Sequence, residues 1–226
     1  MNKDIKEVAL VLAGSLRLST KVKSSLEAAD YVIAVDKGLD YLHELNLEPD
    51  LVIGDFDTVS EASLTWAQEN NFNLQEFPED KDKTDGNLAL DFAKDLEPQD
   101  ISLYAAFSSA RPDHAINILA QAFPLVEAGI DVRFYSGDVL AIPLIGPSEL
   151  SLDLKDYTTK DYEDLLISLV PISEVKGVYT KGLAYPLKNA NLYPQKSLSL
   201  SNCLKSSYEF VIKYDLGKLI SFILEL

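Results

Sequence analysis

Five apolar runs organise the first 137 residues and restrict what this chain can fold into. Val8-Ala9-Leu10-Val11-Leu12 ends at Gly14, Tyr31-Val32-Ile33-Ala34-Val35 ends at Asp36-Lys37-Gly38, and Leu51-Val52-Ile53 ends at Gly54. Ile101-Ser102-Leu103-Tyr104-Ala105-Ala106 and Val132-Arg133-Phe134-Tyr135 follow. Runs apolar on both faces suit parallel strands buried on both sides. Residues at helical spacing separate them: Leu39, Leu42 and Leu45; then Leu88, Ala89, Phe92, Ala93 and Leu96; then Ile116, Leu119, Ala120 and Phe123. A shorter strand is expected between Phe72 and Phe77. Strands alternating with helices imply a parallel sheet covered on both faces, a three-layer α/β domain over 1–137.

Near Ser136-Gly137-Asp138 the pattern changes. Short strand-like runs follow: Leu165–Val170, Leu198–Ser201, Tyr208–Ile212 and Leu219–Leu224, punctuated by Pro143, Pro147, Pro171, Pro186 and Pro194. This reads as an all-β domain over 138–226, a sandwich or half-barrel. The alternating Tyr208, Phe210, Ile212 and Tyr214 are expected to form core on one sheet face.

A net charge of −16 argues against nucleic acid as a partner, because its backbone would be repelled. No apolar run approaches the ~18 residues of a membrane span. The opening residues Met1–Glu7 lack the charged-then-apolar pattern of a signal peptide. Cys203 is the single cysteine, so neither an internal disulfide nor a cysteine-based zinc site is available. A cytoplasmic protein is the expectation.

Ligands of open α/β sheets bind outside the carboxyl ends of the strands, so the polar residues there carry the functional reading. Gly54-Asp55-Phe56-Asp57 places two acids one residue apart, and an extended chain would point both to one side. Paired carboxylates repel unless a cation lies between them, and Mg²⁺ suits an all-oxygen pair with room for phosphates. Asp36-Lys37-Gly38 follows the second strand. Asp80-Lys81-Asp82-Lys83-Thr84-Asp85 opens one helix, and Ser108-Ser109-Ala110-Arg111-Pro112-Asp113-His114 opens another. Thr84 also reads as an N-cap and Pro112 as the first helical position. Arg111 and Asp113 can pair on the surface, His114 can be an ordinary helix residue, and His43 looks structural.

In this order the motifs resemble the thiamine pyrophosphokinase family. The resemblance rests on Ala34–Gly38, Pro49–Asp57, Lys81–Asp85 and Arg111–His114, and, in the β half, on Lys181–Leu187 and Leu200–Asn202. It implies an α/β domain followed by a β-sandwich, a homodimer, and diphosphoryl transfer from ATP to the thiamine hydroxyl, giving thiamine diphosphate and AMP. It matches Asp55, Asp57 and Asp85 to Mg²⁺-binding and catalytic acids. Arg111 and Asp113 match catalytic positions that contact nucleotide and substrate. Asp36, Lys81, Asp82, Thr84 and His114 join Arg111 on the ATP side. Ser201 and Asn202 match the thiamine-facing part of the β domain, completing the site of the other subunit. Two departures stand out: Ser109 and Ala110 occupy positions where the family usually has glycines, and Lys37 stands where a small residue is common.

Phosphoryl-type transfer needs mainly positioning and charge neutralisation, which these residues supply. A carboxylate within reach would take the hydroxyl proton, and Asp113 or Asp82 is the candidate. Three rivals accompany this reading. Asp55-Phe56-Asp57-Thr58-Val59 also resembles the nucleophile motif of aspartyl-phosphate phosphatases. A pyrophosphokinase for another heterocyclic alcohol, such as a pterin, fits the same acids. A non-catalytic thiamine-binding relative would fit the altered loop at Ser109-Ala110.

Overall fold

The computed structural model describes residues 5–78 and 82–226. The chain forms two compact units, Met1–Gly137 and Asp138–Leu226.

The first unit is built on strands β1 (Glu7–Val11), β2 (Tyr31–Val35), β3 (Leu51–Gly54), β4 (Leu74–Glu76), β5 (Asp100–Tyr104) and β6 (Asp131–Ser136). All pair in parallel, in the order β6-β5-β1-β2-β3-β4. From β1 the chain steps one way to β4, then returns to the other side of β1 for β5 and β6. That reversal is a topological switch point. Five helices connect the strands: α1 (Thr20–Ala28), α2 (Gly38–Leu45), α3 (Glu61–Glu69), α4 (Asp85–Asp95) and α5 (Pro112–Glu127).

Alternate strand residues face opposite sides, which splits the core in two. Ala9, Val11, Val32, Ala34, Val52 and Tyr104 pack with Leu26 of α1, Leu39 and Leu42 of α2, and Ala67 of α3. Tyr31, on the other side of β2, meets Phe92 of α4 with ring centres 6.0 Å apart. Full burial of Leu26, Leu39 and Leu42 contributes roughly 1.5–3 kcal/mol each.

Sequence periodicity missed α1 and α3. The segment forming α1, Thr-Lys-Val-Lys-Ser-Ser-Leu-Glu-Ala, buries only Leu26 and shows no apolar stripe. The expected face of α5 is rotated: Ile116 is 70% exposed, while Ile118, Ala122, Phe123 and Leu125 are buried. At helical spacing, Ile118 and Ala122 continue the face on which His114 lies.

The second unit contains two antiparallel sheets. One has the order β12-β9-β14-β7, from Asn202–Cys203, Leu165–Pro171, Lys218–Glu225 and Val139–Ile145. The other has the order β11-β10-β13-β8, from Ala190–Leu192, Val175–Lys181, Glu209–Tyr214 and Ser148–Asp153. Phe210, Ile212 and Tyr214 are buried along β13, the face that their alternation foretells.

Leu198–Ser201 is a turn rather than the expected strand, and its polarity is inverted. Ser199 is buried and donates to the Leu169 carbonyl at 2.7 Å, whereas Leu198 and Leu200 are exposed. A hydroxyl with a buried carbonyl partner removes the desolvation penalty that would otherwise keep serine outside.

Candidate active site

A cavity of about 230 Å³ opens at the switch point of the first unit. Its walls come from Leu12, Ala13 and Gly14 after β1, Asp36 after β2, Ala105, Ala106 and Ser108 after β5, and the starts of α4 and α5. Thr84, Asp85, Arg111 and His114 all line it, as do Asn87 and Asn117. Of the expected ATP-side residues, it therefore gathers Asp36, Thr84, Arg111 and His114. Lys81 lies outside the described residues, and Asp82 sits in an exposed bend.

The close approach of the loops that follow β1 and β5 requires Gly14, where a Cβ would fall 2.4 Å from the Ala105 carbonyl oxygen. Tyr41 donates to the Gly14 carbonyl at 2.7 Å and secures the same loop. Ser136, buried at the end of β6, accepts from the Phe107 amide at 2.9 Å and donates to the Ser15 carbonyl at 2.8 Å. The loop after β1 escaped sequence reading because its residues, Leu-Ala-Gly-Ser, carry no charge. Only the strand order reveals that it faces β5.

Asp36 occupies the centre of the acidic cluster. Its backbone is left-handed, with φ +47°, which turns the chain sharply out of β2. Its carboxylate accepts from the Asp55 amide at 3.2 Å and also from the Phe56 amide. A Cβ on Gly54 would lie 1.7 Å from Asp36 Oδ1, so only glycine permits this fit. Burial, then repulsion from Asp85 and Asp55, pushes the Asp36 carboxyl up to about 7 against those two amide bonds. Asp36 thus feels the charge of both Asp85 and Asp55.

The extended backbone that would have set Asp55 and Asp57 side by side stops at Gly54. Phe56 adopts φ +61°, and Asp55 Oδ1 accepts from the Asp57 amide at 3.2 Å. The pair therefore forms a turn rather than a strand end, with Asp55 half-buried and Asp57 exposed. Among the described residues, no three acidic, histidine or cysteine side chains close around one point as a ready-made metal cage. The donor set is open and all-oxygen. That suits a cation which keeps waters and shares phosphate oxygens, as Mg²⁺ does.

Thr84 caps α4, its hydroxyl accepting from the Asn87 amide at 3.3 Å, and Asp85 stands in the first turn. Lys83 is drawn away to Asp91, at 2.6 Å. At the start of α5, Arg111 grips Asp113 through two bonds, Nε to Oδ1 at 3.1 Å and Nη2 to Oδ2 at 2.9 Å. Arg111 Nη2 also meets His114 Nε2. The hydrogen bonds from Arg111, then its charge, hold the Asp113 carboxyl down at about 2, so Asp113 serves better to orient the guanidinium than to take a proton. The loop with Ser109 and Ala110 closes without glycine, because Ser108 Oγ accepts from the Ala110 amide at 3.2 Å and the Ser108 carbonyl from the Arg111 amide at 3.3 Å. None of Ser108–Arg111 needs a positive φ.

In the second unit, Ser201 and Asn202 sit beside the Lys181–Leu187 segment. Asn202 Oδ1 accepts from the Tyr185 amide at 3.1 Å, while Nδ2 donates to the Tyr185 carbonyl at 2.8 Å. One carboxamide thereby holds both sides of the Tyr185 peptide backbone. Ser201 is left-handed, with φ +55°, and its amide donates to Ser168 Oγ at 2.9 Å. Tyr185 is left 73% exposed.

Comparison with known proteins agrees over both units. Residues 22–134 match the family model described as thiamin pyrophosphokinase, catalytic domain, and residues 156–219 match thiamin pyrophosphokinase, vitamin B1 binding domain. The thiamine pyrophosphokinase of Bacillus subtilis (strain 168) is 26% identical over 199 residues, covering 88% of this chain and 89% of that protein. The fold is shared with the crystal structure of thiamine pyrophosphokinase from Bacillus subtilis, with a TM-score of 0.84 at 24% identity, over 98% of this chain and 100% of that one. It is shared too with thiamin pyrophosphokinase from Candida albicans, with a TM-score of 0.75 at 17% identity, over 98% and 90%. With its strand-end acids, its switch-point cavity and a family model on each unit, the chain belongs to the thiamine pyrophosphokinase family.

Proposed function

We propose that this protein transfers a diphosphoryl group from ATP to the hydroxyl of thiamine, yielding thiamine diphosphate and AMP. One observation carries the reading: Asp36, repelled by Asp85 and Asp55, lines the same cavity as Asp85, Arg111 and His114. Such a site is poorly suited to a bare polyphosphate and well suited to one accompanied by a divalent cation.

Asp55, Asp57 and Asp85 would hold Mg²⁺, with Asp36 as a further oxygen donor beside them. Bound there, Mg²⁺ would neutralise phosphate charge and polarise the phosphorus under attack. Arg111, oriented by Asp113, offsets the charge that develops toward the AMP leaving group. His114 sits against the same guanidinium and helps fix its direction. The walls from Leu12 to Gly14 and at Ala105-Ala106 carry no charge.

Asn202 and Ser201 shape the thiamine-facing surface of the β unit, with Tyr185 presented by the Asn202 clamp. The active assembly is a homodimer in which the β unit of one chain completes the site of the other. Tyr179, Tyr185, Leu198 and Leu200 support this as large apolar side chains that the β unit leaves exposed.

The test is incubation with ATP, Mg²⁺ and thiamine, with products resolved by chromatography. AMP and thiamine diphosphate should appear in equal amounts. Phosphate release with thiamine untouched, or formation of a stable aspartyl-phosphate, would overturn the assignment. So would thiamine binding without turnover.

A further inference from the structure

A hydrogen-bond chain joins α2 to the loop that carries Asp55 and Asp57, and the chemistry above makes no use of it. Asp40, in the first turn of α2, accepts at Oδ1 from the Ser60 amide at 3.2 Å and from the Ser60 hydroxyl at 2.7 Å. Ser60 is also the N-cap of α3, where its Oγ accepts from the Ser63 amide at 3.2 Å. Ser63 is 2% exposed, with its Oγ 3.0 Å from Ser60 Oγ and 3.1 Å from His43 Nδ1. His43 stacks on Trp66 with ring centres 4.7 Å apart, and Phe72 meets Trp66 edge-on.

Proton accounting gives the chain a direction. A serine hydroxyl has one proton to give, and that of Ser60 goes to Asp40, leaving its oxygen free to cap α3. Partial burial would raise the Asp40 carboxyl. Bonds from Ser63 and Ser60, with the charge of Lys37, outweigh burial and hold it below the usual carboxylate range. Asp40 therefore acts as a committed acceptor.

The second observation is where the two ends of the loop are held. Asp36 takes the amides of Asp55 and Phe56 at its start, and Asp40 takes Ser60 at its finish. The two acids are four residues apart on one stretch of chain. The span they hold contains Asp55, the left-handed Phe56 and Asp57. Such a conformation persists only where its surroundings over-determine it.

We propose that Asp40 is a positioning residue for the Asp55–Asp57 turn, acting through Ser60, and that its acceptor oxygen rather than its charge performs the task. The proposal rests on the reading of those acids as the cation-binding group.

The test compares the full-length metal-free protein with Asp40→Ala, Asp40→Asn and Ser60→Asp variants by hydrogen exchange. Asp40→Ala should speed exchange of the 55–60 amides about tenfold, leaving the amides of β1 and β5 unchanged. Ser60→Asp keeps the helix cap but sets like charges together, and should do the same. Asp40→Asn keeps an acceptor oxygen and should behave as wild type.

In AMP formation, Asp40→Ala should raise the Mg²⁺ needed for half-maximal rate about tenfold with the thiamine KM unchanged, and Asp40→Asn should restore it. Unchanged exchange at 55–60 in both Asp40→Ala and Ser60→Asp would overturn the clamp. Equal damage from Asp40→Asn and Asp40→Ala would overturn the role of the acceptor oxygen. Should Asp40→Ala fail to fold, Ser60→Asp and Asp40→Asn still decide the matter. Absence of AMP formation by the wild type would sink the functional reading, while the exchange measurement would still judge the clamp.

Discussion

The two units of this chain expose different kinds of surface. Residues 1–137 contain 11 basic and 25 acidic side chains, whereas residues 138–226 contain 9 and 11. Large exposed hydrophobics run the other way. Among the described residues, Ile116 represents the first unit, and Tyr157, Ile172, Tyr179, Tyr185, Leu198, Leu200, Leu216 and Leu226 the second. On the proposed function, charge collects in the unit that would handle the polyphosphate, and apolar surface in the unit that would cover an organic ring or another protein surface. If that division is functional, damage to the two units should differ in kind as well as in size.

The largest effect belongs to the acids. Asp55→Asn, Asp57→Asn and Asp85→Asn should each lower turnover by ~100-fold or more at saturating Mg²⁺, a few kcal/mol of transition-state stabilisation. Melting of the metal-free protein should stay level or rise, since like charges are being separated. Near wild-type rates in all three would remove the first unit's claim to the chemistry.

Arg111→Lys comes next. A point charge cannot reproduce the two-bond grip on Asp113, so kcat/KM for ATP should fall roughly tenfold or more. Unchanged ATP kinetics would reduce the pair to an exposed surface contact of little energetic weight.

A smaller and more selective effect is expected from the second unit. Asn202→Ala releases the Tyr185 backbone and should raise the thiamine KM about tenfold while sparing that for ATP. Mixed with Asp55→Asn under conditions that exchange subunits, it should regain a fraction of sites with the wild-type thiamine KM, by rebuilding one intact site per mixed dimer. Demonstrated exchange without recovery would count against a site shared between chains. An equal rise in both KM values would blur the division between the units.

The smallest effect concerns acidity. Asp36 holds its proton more tightly when folded, at about 7 against an ordinary 3.8. The stability it adds is complete below about pH 4 and is lost as pH rises through about 7. Metal-free protein in a chelator should therefore melt a few degrees lower at pH 8 than at pH 5, from this group alone. Asp36→Asn should flatten that part of the profile. An unaltered slope in the variant would show that burial and the acidic neighbours do not hold a proton on Asp36.

Much of the first unit was legible because strand runs and their terminal residues are local features. The strand ends at Asp36, Gly54 and Ala106 can be seen in the sequence, and so can the helix starts at Thr84 and Pro112. Three things were not. The strand order is a long-range property, so the loop at Leu12–Gly14 passed unnoticed. The left-handed turns at Asp36, Phe56 and Ala105 lack the glycine that usually marks such backbone. The prominence of Asp36 over Asp57 emerges only when burial and the Gly54 contact are known. In the second unit, Leu198–Ser201 misled because its alternation was real and the inward side was polar. The strands β7, β8, β10 and β11 passed unread, because strand pairing there depends on partners far along the chain.

The switch point also sets the order in which the molecule can be made. Val8 finds its neighbour Tyr31 after little more than twenty residues, but its other neighbour, Ile101, lies 93 residues on. Closing so long a loop is slow, and during synthesis one edge of β1 stays unpaired until β5 emerges. The ribbon β1–β4 can assemble on the ribosome with Asp36 and Asp55 already in place. The walls at Ala105–Ser108 and Arg111 arrive later. A nascent chain would therefore carry its anionic cluster for some time before it carried the cavity, and mutations that weaken the β1–β5 seam should show first as poor yield rather than poor catalysis.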